Sequence, residues 1–355
     1  MAAETSELYR WFPEGLSAEL LELDENELLR ALGKPTLIRV PGRSDQRPRA
    51  IATLLHGDET TGYQAVLRIL RRRLSYPFDL YVLIGNIRAA LADEGFAHRY
   101  LDDQEDFNRV WGLDQPTTQI RRAADALLHE LRGAKLESLV DVHNNTGNNP
   151  FYAIVTALRE DAINLATVFT STILHWELDA RTLMEALQDD CPAIAIECGL
   201  PDRPESLAFA VDGLRRYLGS PPLRDDVLER DFDLLGAMRK VLVRPEVVFR
   251  FGGDLSDEID FVVGENSDVA NFREVPAGHV IGRVHAGAAV PLLALDAAGN
   301  DVTAAHFRVV DGAVVTTSAA TPVMMTRTIE AARKDCLFYL TTPLRTPVID
   351  PDQAP

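Results

Sequence analysis

Apolar stretches of strand length alternate with stretches of helical periodicity through most of the chain. The strand-like stretches lie at residues 51–55, 80–84, 136–142, 152–155 and 193–196. The helical patterns lie between them, near residues 62–74, 120–131, 161–170 and 205–218. Short apolar runs bounded by turns are typical of buried strands, and the longer 3.6-residue periodicity is typical of helices. The pattern therefore predicts a three-layer α/β/α arrangement, a sheet with helices on both faces.

The hydrophobic pattern changes from about Val241. Short β-branched runs at residues 241–243, 247–251, 280–284, 289–295 and 307–315 alternate with Gly, Asp and Pro turn residues. Short strands separated by frequent turns are typical of a β-rich domain. We therefore predict a larger α/β domain at residues 1–240 and a small β-rich C-terminal domain at residues 241–355.

Composition and charge exclude several classes of partner. The 355 residues, 46% hydrophobic and 25% charged, are enough for a sizeable core in one large domain or in one large and one small domain. The formal net charge of −18 disfavours nucleic acid and anionic membranes as partners, because both require a positive surface. The apolar runs all fall short of the ~18 residues that a membrane span needs.

Cysteine usage and the first residues suggest a compartment. Three cysteines form an odd and sparse set, which argues against a disulfide framework and for a reducing environment. Residues 1–10 contain two glutamates and no hydrophobic signal region. We therefore expect a cytoplasmic protein.

The best candidate for chemistry is a metal site at the ends of two predicted strands. His56 and Glu59 are three positions apart where the run at residues 51–55 breaks into a turn, and Gly57 and Gly62 allow the backbone to bend there. His143 closes the run at residues 136–142. Two imidazoles and one carboxylate are the ligand set of a catalytic zinc ion that keeps one position open for water. We predict that one Zn²⁺ binds per chain.

A fourth residue, Glu197, has the position of a catalytic base. It follows the apolar run at residues 193–196, where hydrophobic neighbours raise the basicity of a carboxylate. A zinc hydrolase needs a carboxylate that is not a ligand, to take a proton from the water and pass it to the leaving nitrogen. The alternative is a structural glutamate that is paired with an arginine.

Several short motifs together resemble a known family. The motifs are His56-Gly57-Asp58-Glu59, Asn86, Arg99-Tyr100, Asp106-Phe107-Asn108-Arg109, Asp141-Val142-His143-Asn144 and Ile196-Glu197-Cys198-Gly199. In this order they resemble the succinylglutamate desuccinylases and aspartoacylases, which are relatives of the zinc carboxypeptidases. The resemblance covers about residues 50–200 and continues faintly at residues 267–278, in a segment similar to the family's small C-terminal domain.

The resemblance implies a role for each matching residue. It implies that His56, Glu59 and His143 bind zinc and that Glu197 is the general base and acid. It also implies that Arg99 polarises the scissile carbonyl and that Asn108 and Arg109 hold a carboxylate of the substrate. Tyr100 and Asn144, within the same motifs, complete the predicted substrate-binding set.

The expected function is that of a zinc-dependent amidohydrolase, with residues 1–240 as its catalytic domain. It would remove a succinyl, acetyl or similar acyl group from an N-acyl amino acid, with zinc-bound water as the nucleophile. The resemblance also implies a homo-oligomer. Two alternatives stay open at this point: a metallocarboxypeptidase that acts on small peptides, and a non-catalytic metal-binding relative.

Overall fold

A computed structural model of the chain describes residues 4–5, 7–145, 147–223 and 231–344. The described residues form two compact units. Those within Met1–Thr146, Phe151–Ile173 and Leu178–Asp231 form the first unit. Those within Gly147–Pro150, Leu174–Glu177 and Phe232–Pro355 form the second. The domain boundary at residues 240 and 241 stays a prediction.

The first unit contains strands and helices in alternation. Its strands are β1 (Glu4–Thr5), β2 (Arg10–Phe12), β3 (Thr36–Val40), β4 (Gln46–Thr53), β5 (Phe78–Ile84), β6 (Ser138–His143), β7 (Tyr152–Val155), β8 (Thr172–His175) and β9 (Ala193–Glu197). Its helices are α1 (Ala18–Glu22), α2 (Glu25–Leu32), α3 (Thr60–Arg71), α4 (Ile87–Leu91), α5 (Gln119–Gly133), α6 (Glu160–Thr167), α7 (Leu183–Leu187) and α8 (Pro204–Gly219), with a short 3-10 helix at Phe107–Arg109. The last two residues of β8 belong to the second unit.

Parallel strands form the centre of the first unit's sheet. The strand order is β1-β2-β3-β5-β4-β6-β9-β7-β8. Strands β5, β4, β6 and β9 pair in parallel, whereas β3 and β7 run antiparallel to β5 and β9. Every residue of β6 and β9 is buried, as expected for parallel strands that are covered on both faces. The carboxyl ends of β4, β6 and β9 therefore meet at one edge.

Helix α3 packs closely on the strands before and beside it. Its apolar residues, among them Val66 and Leu70, are buried along one side of the helix. Gly62 lies in its first turn, where a Cβ atom would come within 2.3 Å of the Thr53 hydroxyl and 2.9 Å of Val142. Glycine at this position lets the start of α3 approach the ends of β4 and β6.

The second unit is rich in strands. Its strands are β10 (Asp233–Val243), β11 (Phe249–Phe251), β12 (Phe261–Val263), β13 (Val280–Val284), β14 (Leu292–Leu295), β15 (Phe307–Val310), β16 (Ala313–Thr316), β17 (Thr321–Val323) and β18 (Phe338–Pro343). Its helices are α9 (Thr303–His306) and α10 (Ile329–Lys334), with a 3-10 helix at Ser267–Ala270. Strand β18 pairs antiparallel with β10 and β17, and β14 pairs antiparallel with β10. A five-stranded sheet has the order β11-β12-β13-β16-β15.

Aromatic and aliphatic side chains fill the core of the second unit. Phe261, Phe307 and Phe338 are buried there, and the rings of Phe307 and Phe338 meet edge to face with centroids 6.2 Å apart. The predicted run at residues 307–315 is two strands, because Asp311 and Gly312 both adopt positive φ and turn the chain back on itself. Two consecutive residues in this conformation make the tight turn that the twist of a β-hairpin favours.

The elements before residue 46 lie outside the alternation described from the sequence. Their signals are present nevertheless: Asp24 and Glu27 form a capping box at the start of α2, and Gly33 ends that helix in the left-handed conformation. Among the described residues, no helix is long and apolar enough to cross a membrane.

Candidate metal centre

The candidate site is built at the carboxyl ends of three neighbouring parallel strands. His143 is the last residue of β6 and Glu197 the last residue of β9, and the two are directly opposite each other in the sheet. His56 follows the end of β4 by three residues, and Glu59 stands at the N-cap of α3. Because the strands are parallel, residues more than a hundred positions apart in sequence are brought to one point.

The loop between β4 and α3 is held in a strained and crowded conformation. Leu54 has a φ of 56°, in the left-handed region that β-branched and bulky residues rarely adopt. Gly57 does not need a positive φ, but a Cβ atom there would lie 2.5 Å from the backbone nitrogen of Ala90. The sequence predicts that Gly57 and Gly62 allow this bend. In the structure, the unusual dihedral angle lies at Leu54, and both glycines instead allow neighbouring atoms to pack closely.

The carboxylate of Glu59 lies between the two imidazoles. Its Oε1 is 2.8 Å from Nδ1 of His56, and its Oε2 is 2.7 Å from Nδ1 of His143. One ligand atom from each of the three residues lies within 4.8 Å of the others. The backbone N–H of Asn144 donates to Glu59 Oε2 at 3.0 Å, which fixes the carboxylate. All three candidate ligands are buried.

A second carboxylate stands behind each histidine. Nε2 of His56 is 3.1 Å from Asp106 Oδ1, and Nε2 of His143 is 2.8 Å from Asp141 Oδ2. Both rings therefore turn Nδ1 towards Glu59 and Nε2 towards an aspartate. This arrangement fixes the ring orientation and raises the basicity of Nδ1, as is usual for metal-binding histidines.

Both aspartates lie within the sequence motifs, but neither is among the predicted site residues. Asp141 could have been found by its spacing, since residues two apart on a strand point to the same face and His143 is two residues further on. Asp106 reaches His56 from a loop fifty residues away, so spacing alone carried no signal for that contact.

The charged groups of the cluster shift one another's pKa values. Burial by itself would raise the pKa of Glu59, but the two neighbouring imidazoles outweigh burial and hold that pKa far below its usual range. Burial likewise opposes the charged form of His143, yet Asp141 and Glu59 raise its pKa well above the usual value. Each histidine thus lies between two carboxylates, which stabilise positive charge where the three candidate ligands meet.

Glu197 lies beside this cluster and is 8% exposed. Its Oε2 is buried and has no hydrogen-bond partner among the described residues. Burial raises the pKa of Glu197 to about 8, partly offset by His143. A carboxylate with such a pKa is able to accept and return a proton near neutral pH. Glu197 forms no ion pair with an arginine of the described residues. The alternative that it is a structural glutamate neutralised by an arginine is therefore not supported.

Arg99 borders the cluster through Asp106 and Glu59. Its Nε donates to Asp106 Oδ2 at 3.1 Å, and its Nη1 is 3.5 Å from Glu59 Oε1. The side chain is 37% exposed, so part of the guanidinium is accessible to a small molecule. The backbone carbonyl of Arg99 also accepts a hydrogen bond from Gly57 at 2.9 Å, which ties the two loops together.

Asn108 and Arg109 lie in the 3-10 helix. The amide of Asn108 donates to Asp141 Oδ2 at 3.4 Å and faces His143 Nε2 at 3.2 Å, while its oxygen accepts from the Leu183 N–H at 2.9 Å. Both polar atoms of this side chain therefore already contact protein groups. Arg109 donates to the backbone carbonyl of Asn108 at 2.8 Å and is only partly buried.

The other two residues of the predicted substrate set have different surroundings. The amide of Asn144 donates to the Thr61 hydroxyl at 2.9 Å and to the Gly199 carbonyl at 2.8 Å, and its oxygen accepts from the Thr61 N–H at 3.1 Å. These bonds join the loops that carry Glu59 and Glu197. Tyr100 is partly exposed, and its hydroxyl makes no hydrogen bond with a described residue.

Comparison with known proteins gives a family match over part of the chain and a similarity of fold. Residues 50–181 match the family model described as the succinylglutamate desuccinylase/aspartoacylase catalytic domain. Succinylglutamate desuccinylase from Chromobacterium violaceum is similar in structure, with a TM-score of 0.58, 17% identity, and coverage of 88% of this chain and 89% of that chain. A succinylglutamate desuccinylase/aspartoacylase from Rhodobacter sphaeroides follows at a TM-score of 0.55 and 14% identity, covering 87% and 89%. The succinylglutamate desuccinylase from Vibrio parahaemolyticus has a TM-score of 0.54 and 15% identity, covering 87% and 86%.

A sequence search of curated proteins found no match. The family match confirms the resemblance that the motifs predicted, and it spans His56, Glu59, Arg99, Asn108 and His143. The structural matches confirm the predicted fold class, a zinc-carboxypeptidase-like α/β domain followed by a smaller β-rich part. At these identities the matches show the fold.

Proposed function

We propose that this chain, whose residues 50–181 match a deacylase catalytic domain, is a zinc-dependent hydrolase that removes the acyl group from an N-acyl amino acid. One observation carries the proposal. His56, Glu59 and His143 converge with an aspartate behind each ring and with the buried Glu197 beside them. A metal-binding site that had lost its catalytic role would have no need of a buried carboxylate of high pKa.

The residues present fit a zinc ion. Two imidazole nitrogens and a carboxylate are a common protein ligand set of catalytic zinc, and the open fourth position accepts water or substrate. The aspartates behind His56 and His143 select the Nδ1 atoms as metal ligands, since each Nε2 already faces a carboxylate. When bound there, zinc supplies Lewis acidity that activates water and polarises a carbonyl group.

Glu197 performs the proton transfers in this proposal. Its buried carboxylate takes a proton from the attacking water and then delivers it to the nitrogen of the departing amino acid. Burial serves both steps, because the raised pKa of about 8 makes Glu197 a stronger base before the transfer and a competent acid afterwards. The products are a carboxylic acid and a free amino acid.

The polar residues around the cluster orient the substrate. The accessible part of the Arg99 guanidinium lies where it can stabilise negative charge that develops on the carbonyl oxygen. Arg109 binds a carboxylate of the substrate, and Asn108 holds the backbone from which Arg109 extends. Tyr100 offers to the substrate a hydroxyl that has no hydrogen-bond partner among the described residues, and Asn144 contributes through the loops that it joins.

The acyl group is a small one, of the succinyl or acetyl type, and residues 1–240 carry the chemistry. The test is amine release from N-succinylglutamate, N-acetylaspartate, other N-acetyl amino acids and several dipeptides. Each substrate is incubated with zinc-loaded protein, with chelator-treated protein, and with chelated protein to which zinc has been returned. Release from an acyl amino acid that disappears with the chelator and returns with zinc supports the proposal.

The variant Glu197→Gln keeps the shape of the side chain and removes the proton acceptor. We expect turnover to fall by roughly 10²–10⁴-fold while zinc still binds. The matched control is Glu205→Gln, which removes an exposed carboxylate at the start of α8. Cleavage of dipeptides in preference to acyl amino acids would instead identify a carboxypeptidase. Unchanged turnover in Glu197→Gln would contradict the proposed base.

A further inference from the structure

A cavity of about 270 Å³ lies between helices α3 and α8 of the first unit. It is lined by Arg68, Ile69 and Arg72 from α3 and its C-cap, and by Ala208, Val211, Asp212 and Arg215 from α8. We call it the arginine cavity. Ala208 and Val211 have short side chains, so the cavity stays open beside them. Three guanidinium groups border it.

The protein neutralises only part of the positive charge in the arginine cavity, through Asp212. Arg68 and Arg72 are exposed, and neither forms an ion pair with a carboxylate of the described residues. Arg215 makes one long contact with Asp212, at 3.5 Å between Nη1 and Oδ1. The neighbouring Arg71 behaves differently, since its guanidinium is bound to the carbonyl groups of Leu21 and Leu23.

Helix capping does not account for this arrangement. Arginines are favoured in the last turn of a helix, where they offset the partial negative charge of the helix end. That effect operates separately on each helix and does not require the side chains to border a common cavity. Arg68 and Arg72 are four residues apart, so they lie on one face of α3, and that face meets α8 at Arg215. In a chain of net charge −18, three arginines and one aspartate around one cavity leave a local excess of positive charge where an anion could bind.

We propose that the arginine cavity binds a phosphate group, either as the free ion or as a small phosphomonoester. Guanidinium groups bind phosphate oxygens through directed, charge-assisted hydrogen bonds. Arginines that approach from two helices match the tetrahedral oxygens of phosphate better than the two coplanar oxygens of a carboxylate. The volume is slightly below the ~300 Å³ at which pockets for drug-sized ligands begin, so it suits a small ligand.

The cavity is separate from the candidate metal centre. Helix α3 begins next to Glu59 and reaches Arg72 after its 12 residues, a length of about 18 Å. Helix α8 likewise starts soon after Glu197, which ends β9. A phosphate held by Arg72 and Arg215 therefore joins the far ends of the two helices that follow the ligand loop and the proposed base. Binding to the folded state stabilises the protein against unfolding.

The proposal is tested by titration calorimetry on the full chain at constant ionic strength. The probes are inorganic phosphate, phenyl phosphate and, as a carboxylate comparison, succinate. The variants are Arg72→Gln and Arg215→Gln. Arg122→Gln is the matched control, because Arg122 is an exposed arginine on another helix, α5, and also lacks an ion pair among the described residues.

We expect saturable binding of one phosphate per chain, weakened about tenfold or more in Arg72→Gln and Arg215→Gln and unchanged in Arg122→Gln. Tighter binding of phenyl phosphate would support the proposal and assign an organic phosphomonoester. Equal or tighter binding of inorganic phosphate would support it and assign the free ion. Absence of saturable binding, or equal affinity in all three variants, would overturn the proposal. Succinate binding that is as tight as phosphate binding, and that is weakened to the same extent in Arg72→Gln and Arg215→Gln, would overturn the assignment of the anion.

Discussion

Replacing Asp141 with asparagine separates the positioning of His143 from the ligands themselves. Asparagine has nearly the same shape but no charge, so it accepts a hydrogen bond from the imidazole without strengthening the opposite nitrogen as a ligand. Asp141 is 0% exposed, and its Oδ2 lies 2.8 Å from His143 Nε2. The effect of the substitution should therefore appear first in metal affinity.

The expected magnitude follows from this geometry. Removing a carboxylate behind a metal-binding histidine weakens metal binding by ~10–100-fold, which corresponds to about 1.4–2.7 kcal/mol. We expect the upper part of this range, since Asp141 is fully buried and water cannot replace its charge. The amide group that asparagine introduces would also occupy the position of Asp141 Oδ1, which has no hydrogen-bond partner among the described residues.

The assay is competition for zinc between the protein and a chromophoric chelator, which measures affinity without reference to any substrate. The matched control is Asp268→Asn, in the second unit, where the aspartate is 4% exposed and faces Arg327 at 3.6 Å. Circular dichroism establishes that each variant is folded. Wild-type zinc affinity in folded Asp141→Asn would refute the inference that Asp141 tunes His143.

Three further outcomes are expected. Gly62→Ala places a Cβ atom 2.3 Å from the Thr53 hydroxyl and should destabilise the fold by about 1–3 kcal/mol in urea unfolding, whereas Gly133→Ala meets no atom within 4 Å and should not. Arg49→Met removes a buried guanidinium that donates to Glu137 at 2.5 Å. The substitution should lower the free energy of unfolding by about 3–5 kcal/mol, because it leaves the Glu137 carboxylate without its partner. A loss below 1 kcal/mol would show that the partners rearrange at little cost. The Cys198 thiol is buried, and burial raises its pKa well above the usual value, so a thiol reagent should label it only on unfolding; rapid labelling of the native protein would contradict this burial.

Local patterns predicted the central elements of the first unit. The run at residues 152–155 is strand β7 with the same bounds, and the helical pattern near residues 205–218 is helix α8, Pro204–Gly219. Helix α8 forms as predicted because its hydrophobic periodicity extends over several turns, and strand β7 because its apolar run is bounded by turn residues. The hairpin at residues 307–315 was merged into one run, since both of its strands are apolar and only Asp311 and Gly312 separate them.

The candidate site also has a part that the sequence predicts and a part that it does not. Residues at strand ends, such as His143 and Glu197, could be selected because an apolar run that stops at an ionisable residue is visible along the sequence. The contacts that set their chemistry are not visible there. Asp106 meets His56, and Asn108 meets His143, only because loops from different parts of the chain fold over the sheet edge.

The sequence by itself determined the α/β alternation, the β-rich second part, the three candidate ligands and the family resemblance. These features depend on residue type and on spacing along the chain, both of which the sequence contains. Only the tertiary structure decided which nitrogen of each histidine faces Glu59, which carboxylate stands behind each ring, and which arginines border one cavity. Those features depend on distances of a few ångströms between residues far apart in sequence, and hydrogen bonds and charge interactions change steeply over such distances.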